Sequence, residues 1–129
     1  MIYLDSSAIV KLLLPEVESA ALRLELARDR ERCSSALVRV EVFRALRRAN
    51  ASFETLERAA AVLERIALMP LDDRVLSAAA ELDPPGLRSL DAIHLATALS
   101  LFGLTSFVTY DQRLFAAAST AGLRPMAPV

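Results

Sequence analysis

Short apolar, β-favouring runs alternate with longer stretches of helical periodicity, and this alternation constrains the fold more than any other feature. The runs span residues 2–4, 67–71 and 105–109, and residues 32–35 form a weaker strand candidate. Helical patterns cover 8–14, 16–28, 36–49, a stripe through Leu56 and Leu63, 73–82, 89–102 with Ser89 as its N-cap, and the residues from 111 onward. Strands separated by helices pair in parallel through right-handed crossovers. We therefore predict an α/β fold with a central parallel sheet of four or five short strands and about seven flanking helices.

Length and composition narrow the class of protein. The chain has 129 residues, of which 54% are hydrophobic, so we predict one domain spanning 1–129 with a substantial core and exclude a disordered chain. Its single cysteine, Cys33, and single histidine, His94, exclude a disulfide framework and a Cys/His zinc site. We expect Cys33 to be a small buried residue. No signal segment and no apolar run of about 18 residues occurs, so we expect a soluble, cytoplasmic protein without a membrane segment.

Acidic residues at four positions stand out against these elements. Asp5 and Asp111 each follow a strand run, and parallel sheets bind ligands beyond the carboxyl ends of their strands. Glu41 and Asp91 lie inside apolar helical stretches, where an ionised carboxylate is costly unless it is paired or binds metal. Each also has a structural interpretation. The two strand-following aspartates can cap helices, Glu41 can pair with an arginine along its helix, and Asp91 can complement the helix dipole.

Carboxylates that converge at one end of a sheet repel each other and raise their own pKa values unless cations neutralise them. Oxygen-only sites suit Mg²⁺ or Mn²⁺, which keep several waters and act on phosphate substrates. One or two such ions can activate water and stabilise an in-line displacement at phosphorus without histidine or cysteine. The acidic residues therefore predict a metal-dependent phosphodiester hydrolase.

Several stretches of the chain carry a resemblance to a known family. They are YLDSSA at 3–8, VE at 40–41, SLDAIHLATA at 89–98 and VTYDQRL at 108–114. In order and spacing they resemble PIN-domain proteins of the VapC toxin type, over essentially the whole chain. The resemblance implies a parallel-sheet nuclease fold, one or two Mg²⁺ or Mn²⁺ ions at an acidic pocket, cleavage of RNA, and a cognate antitoxin that inserts into the active-site groove.

Carried over by position, the resemblance implies a site of acids supported by small hydroxyl side chains. The acids are Asp5, Glu41, Asp91 and Asp111, and the hydroxyls are Ser7 and Thr109. For the two hydroxyl residues, helix capping and strand-end hydrogen bonding stand as an equal alternative. We interpret His94 as a packed structural residue rather than a general base, since such sites need no imidazole.

Arginine dominates the basic residues of the chain. Setting the four site acids aside leaves fifteen basic residues against twelve acidic ones, although the whole chain carries a net charge of −1. Arginine suits bidentate phosphate contact, and the cluster near Glu41 is our candidate for binding RNA. It comprises Arg39, Arg44, Arg47 and Arg48, of which Arg44 and Arg48 are also candidate partners for Glu41. A solvated helix face is the competing interpretation.

Together these features predict a metal-dependent endoribonuclease that is the toxin of a toxin–antitoxin pair. The alternative is a catalytically inactive PIN-like subunit for RNA binding or assembly, which would be free to lose its acids. The high apolar fraction, including Leu12, Leu13 and Leu14, predicts apolar surface for a homodimer or an antitoxin. A helical core rich in alanine and leucine is the alternative.

Overall fold

The computed structural model describes residues 1–129 and contains five strands and seven helices. In chain order they are β1 (Ile2–Leu4), α1 (Ser6–Leu13), α2 (Ser19–Leu26), β2 (Arg32–Ser35), α3 (Val38–Arg48), α4 (Phe53–Glu64), β3 (Ala67–Met69), α5 (Asp73–Ala80), α6 (Ser89–Leu99), β4 (Ser106–Val108), α7 (Gln112–Thr120) and β5 (Pro125–Met126). No helix is both long and apolar enough to cross a membrane.

The strands form one sheet in the order β3-β2-β1-β4-β5, and every neighbouring pair is parallel. In the register of the central pair, Ile2 lies opposite Ser106 and Leu4 opposite Val108. This confirms the predicted α/β fold with a parallel sheet. Because β1 and β4 are neighbours at its centre, the segments that leave their carboxyl ends emerge side by side.

Some predicted boundaries are wrong, each for a local reason. The second helix begins at Ser19 rather than at residue 16, because the Ser19 hydroxyl accepts a hydrogen bond from the Glu16 amide and donates to the Lys11 carbonyl. Ser89 is the first residue of α6 rather than its cap, and Arg88 occupies the N-cap position without a capping side-chain hydrogen bond. The same helix ends at Leu99 instead of residue 102.

Hydrophobic residues pack in layers around the sheet. One cluster combines Ile2, Leu4 and Val108 with residues of α1, α2, α3 and α4. A second combines Tyr3, Cys33 and Phe107 with residues of α6 and α7. Alternate side chains of β1 therefore point to opposite layers, as in a central strand buried on both faces.

The predicted apolar surface at residues 12–14 is wrong for Leu13 and only partly present at its neighbours. Leu13 is almost fully buried, and Leu12 and Leu14 are partly buried against the first cluster. Helix α1 is covered by α2, α3 and α4, so Leu13 belongs to the protein's own core, and Leu12 and Leu14 pack against that core while keeping part of their surface exposed. The exposed large apolar side chains lie elsewhere, and the most exposed are Val17 and Phe102.

Cys33 is fully buried on β2, as expected. Burial raises the pKa of its thiol to about 11, so little thiolate exists near pH 8. We expect the native protein to resist alkylation by iodoacetamide at pH 8 and to react at one thiol per chain after unfolding in guanidinium. Mass spectrometry reports the label, and rapid labelling of the native protein would contradict the prediction.

Candidate active site

Two of the predicted site residues follow the central strands of the sheet. Asp5 comes directly after β1, and its carboxylate accepts a hydrogen bond of 3.0 Å from the Ala8 amide as the N-cap of α1. Asp111 follows β4 and accepts a hydrogen bond of 2.9 Å from the Leu114 amide as the N-cap of α7. The interpretation of both aspartates as helix caps is therefore correct. The same two residues also line a cavity.

The cavity has a volume of about 760 Å³, and all four predicted acids line it. Asp5 and Asp111 enter from the ends of strands, Glu41 from α3 and Asp91 from the first turn of α6. The cavity therefore lies at the carboxyl ends of β1 and β4, which is where parallel sheets bind ligands. The amino-terminal ends of α3 and α6 border it. As the side chains stand, no group of three or more His, Cys, Asp or Glu residues is close enough to hold a metal ion.

Asp5 is held by hydrogen bonds on both carboxylate oxygens. Oδ1 accepts from the Ser7 hydroxyl at 2.6 Å and from the Ala8 amide, and Oδ2 accepts from the Thr109 hydroxyl at 2.6 Å. The side chain is only 3% exposed. Burial raises the pKa of Asp5, while its three donors oppose that rise. Ser7 and Thr109 therefore fix the orientation of this carboxylate.

Arg88 bridges Asp91 and Asp111. Its Nε donates to Asp91 Oδ2 at 3.1 Å, and one terminal nitrogen donates to Asp111 Oδ2. Burial raises the pKa of Asp91, the nearby charge of Asp111 raises it further, and Arg88 lowers it. The two carboxylates therefore repel each other and share a single guanidinium that offsets the repulsion. The contact between Arg88 and Asp91 could have been predicted from the sequence, since residues three apart are neighbours on a helix.

Glu41 is held by a partner that the sequence did not indicate. Its Oε1 lies 2.6 Å from Nε2 of His94, and Nδ1 of His94 lies 2.8 Å from the hydroxyl of Tyr3. The suggested pairing of Glu41 with Arg44 or Arg48 is wrong, because neither arginine forms a salt bridge within the chain. The interpretation of His94 as a packed residue agrees with its exposure of 1%.

The structure divides the predicted arginine cluster. Arg44 and Arg48 line the cavity on the same face of α3 as Glu41. Arg39 lines a separate hollow, and Arg47 is exposed away from the cavity. The periodicity of the helix explains the division, because positions three and seven residues after Glu41 share its face whereas positions two before and six after do not.

Lys11 lines the cavity although no motif of the sequence marked it as a site residue. Its ammonium group forms salt bridges with Glu16 and Glu18 and lies 4.6 Å from the centre of the Tyr110 ring. Its side chain is 12% exposed. The position six residues after Asp5 on α1 was its only signal in the sequence.

The donor chemistry of the cavity fits a hard divalent cation. Every acidic group that lines it is a carboxylate, and the sole cysteine lies elsewhere, in the core. Asp91 and Asp111 already share one positive charge, that of Arg88. Oxygen ligands of this kind suit Mg²⁺ or Mn²⁺, so the residues that would hold an ion are Asp5, Glu41, Asp91 and Asp111.

Most of the chain matches a known protein family. Residues 2–120 match the family model described as PIN domain. The chain belongs to the PIN-domain family. This PIN domain is 50% identical over 128 residues to ribonuclease VapC46 of Mycobacterium tuberculosis, covering 98% of the chain and 97% of the relative. It is 40% identical over 133 residues to ribonuclease VapC47 of the same species, covering 99% and 97%. These relatives place the PIN domain in the VapC type.

Solved structures share the fold at low sequence identity. The crystal structure of M. tuberculosis VapC20, described as a sarcin-ricin loop cleaving toxin, matches with a TM-score of 0.77 at 18% identity, covering 99% of this chain and 100% of that one. A chain of a toxin–antitoxin complex from Klebsiella pneumoniae matches with a TM-score of 0.71 at 20% identity, covering 90% and 91%. At these identities the matches confirm the PIN fold of the chain.

Proposed function

We propose that this VapC-type protein is an endoribonuclease that depends on Mg²⁺ or Mn²⁺ and is the toxin of a toxin–antitoxin pair. The observation that carries the proposal is a single cavity at the carboxyl ends of the central strands, lined by the four predicted acids and Glu16 together with Lys11, Arg44, Arg48 and Arg88. The ribonuclease names of its VapC relatives support RNA as the substrate.

The cavity residues divide the chemistry between them. Arg44 and Arg48, which are exposed and without an ion-pair partner, bind the phosphates of the RNA backbone. Asp5, Glu41, Asp91 and Asp111 hold one or two ions. A bound divalent cation lowers the pKa of water and stabilises the charge that develops on the phosphate. The hydrogen bonds on Asp5 and Glu41 orient these carboxylates before the substrate arrives.

Dependence on metal tests the proposal directly. Purified protein is incubated with structured RNAs in Mg²⁺, in Mn²⁺ and in EDTA, and the ends of the products are identified. We expect cleavage with either ion, none in EDTA, and products that carry a 5′-phosphate and a 3′-hydroxyl. Full activity in EDTA contradicts metal dependence. RNA binding without cleavage under every condition supports the alternative, an inactive RNA-binding subunit.

An antitoxin and a second copy of the chain are the proposed protein partners, in the cytoplasm. The Klebsiella neighbour comes from a toxin–antitoxin complex, and Val17, Phe53 and Phe102 leave large apolar side chains exposed. Light scattering on the purified chain and co-purification with a co-expressed neighbouring gene product test the two partners. A monomer that binds no such product contradicts both.

Removing Arg88 is expected to tighten cation binding. Its guanidinium and a divalent cation compete for the carboxylates of Asp91 and Asp111, so R88A should bind Mn²⁺ about 2- to 5-fold more tightly. Isothermal titration calorimetry measures the affinity. R74A, which removes an exposed arginine on α5, is the matched control. Unchanged or weaker binding by R88A would show that Arg88 is not a competitor of the ion.

A further inference from the structure

His94 connects the interior of the protein to the cavity. It lies on α6, three residues after Asp91, and is 1% exposed. Both ring nitrogens are engaged: Nε2 lies 2.6 Å from Glu41 Oε1, and Nδ1 lies 2.8 Å from the Tyr3 hydroxyl. Glu41 lines the cavity, whereas Tyr3 is fully buried on the central strand β1. The ring therefore joins a rigid core residue to a site carboxylate.

The directions of the hydrogen bonds follow from the partners. An ionised carboxylate can only accept, so Nε2 of His94 carries the hydrogen that is donated to Glu41. In the neutral ring, Nδ1 then has a lone pair and accepts the hydrogen of the Tyr3 hydroxyl. The hydroxyl retains that hydrogen, because burial raises the pKa of Tyr3 above its ordinary value. The Nε2–H tautomer of His94 therefore satisfies the hydrogen-bonding groups of Tyr3, His94 and Glu41 together.

Tyr3 is held firmly against the ring of His94. Its ring stacks on Phe107 with centroids 5.1 Å apart and planes 8° from parallel. It meets the ring of His94 edge-on, at 5.9 Å and 83°. Both partners of the tyrosine are almost fully buried, so the hydroxyl can move little relative to Nδ1 of His94.

We infer that His94 is a positioning residue for RNA cleavage: its Nε2–H group, required by the Glu41 carboxylate and matched by the Tyr3 hydroxyl at Nδ1, holds Oε1 of Glu41 and orients this carboxylate toward the cavity. The inference rests on the proposed function, since it assigns a role within the same site. Glutamate is a flexible side chain, and fixing one oxygen removes most of the freedom that catalysis would otherwise have to restrict. His94 itself does not line the cavity, so it acts through Glu41.

The tautomer can be measured directly, because the chain contains one histidine. A long-range ¹H–¹⁵N correlation spectrum of the ¹⁵N-labelled protein, freed of any histidine tag, shows one pair of ring nitrogens at neutral pH. We expect a protonated Nε2 and an unprotonated Nδ1. Y3F should shift the Nδ1 signal, and E41A should shift the Nε2 signal. An imidazolium ring, the Nδ1–H tautomer, or a ring that is insensitive to E41A overturns the inference.

Kinetics separate positioning from a structural role. H94L fills the same space without a donor and should lower kcat about 10- to 100-fold, with KM little changed. H94Q retains an N–H group that can reach Glu41 and should recover part of that loss. L95M alters the neighbouring buried residue of α6 and controls for disturbance of the core. Thermal melting confirms that each variant is folded at the assay temperature.

The possible results distinguish a failure of the positioning role from a failure of the proposed function. Equal kcat for H94L and wild type, or no recovery in a folded H94Q, contradicts the positioning role. Wild-type protein that cleaves no RNA counts against the proposed function alone, because the spectra still decide which tautomer His94 adopts and whether His94 holds Glu41.

Discussion

Replacing Asp5 with asparagine is expected to lower the rate of RNA cleavage about 1,000-fold, which corresponds to about 4 kcal/mol of lost transition-state stabilisation. Asparagine has the same shape but lacks the negative charge that would hold a cation. It also has only one oxygen to accept the hydrogen bonds that Ser7 and Thr109 donate to separate oxygens of Asp5. Initial rates on a structured RNA at saturating Mg²⁺ measure the effect.

The folded state of D5N provides the control. Asparagine is as good an N-cap as aspartate, so α1 is retained. Burial raises the pKa of Asp5, so its charged form costs stability above that raised pKa, and the cost vanishes below the ordinary value of 3.8. Without divalent ions, D5N should therefore melt at or above the wild-type temperature at pH 8. A folded D5N that cleaves RNA at the wild-type rate would remove Asp5 from the site.

Replacing Phe107 with alanine is expected to have the largest effect on stability, a loss of about 3–5 kcal/mol in the free energy of unfolding. Phe107 is fully buried on β4, between β1 and β5, and stacks on Tyr3. Its removal leaves a cavity in the layer that α6 and α7 cover. For a chain of this length the melting temperature should fall by roughly 10–20 °C, as measured by circular dichroism.

F107L is the matched variant, since leucine keeps an apolar side chain at the same position and fills much of the space. We expect its melting temperature to lie between those of wild type and F107A. If F107A melts within a few degrees of wild type, the layer beneath β4 can collapse around the missing ring, and the packing described for Tyr3 is not rigid.

Much of the fold was predictable, because a central parallel sheet leaves a strong sequence pattern. Three of the four longer strands are short apolar runs between helical stretches, and their parallel pairing followed from general rules of connection. Strand β5 has two residues, one of them a proline, and carries no such pattern. The start of α2 depends on the Ser19 hydroxyl, a local contact that periodicity does not encode.

The acids that line the cavity were predictable, because Glu41 and Asp91 interrupt apolar helical stretches and Asp5 and Asp111 follow strands, where parallel sheets bind ligands. Their partners were less so. His94 and Glu41 are 53 residues apart in sequence, and Arg88 reaches Asp111 across 23 residues. Such contacts depend on how α3, α6 and α7 pack against the sheet. Arg39 and Arg47 were predicted with Arg44 and Arg48 by proximity in sequence, although a helical projection at about 100° per residue separates them.

The helices that begin at the cavity change its electrostatic character. Asp5 caps α1, Asp111 caps α7, and Asp91 lies in the first turn of α6. The amino end of each helix carries a partial charge of about +0.5, so the peptide backbone itself offsets a substantial share of the four carboxylate charges. The acidic groups are therefore tolerated together by the scaffold before any ion arrives, and an approaching polyanion meets a less repulsive surface than a count of ionisable side chains implies.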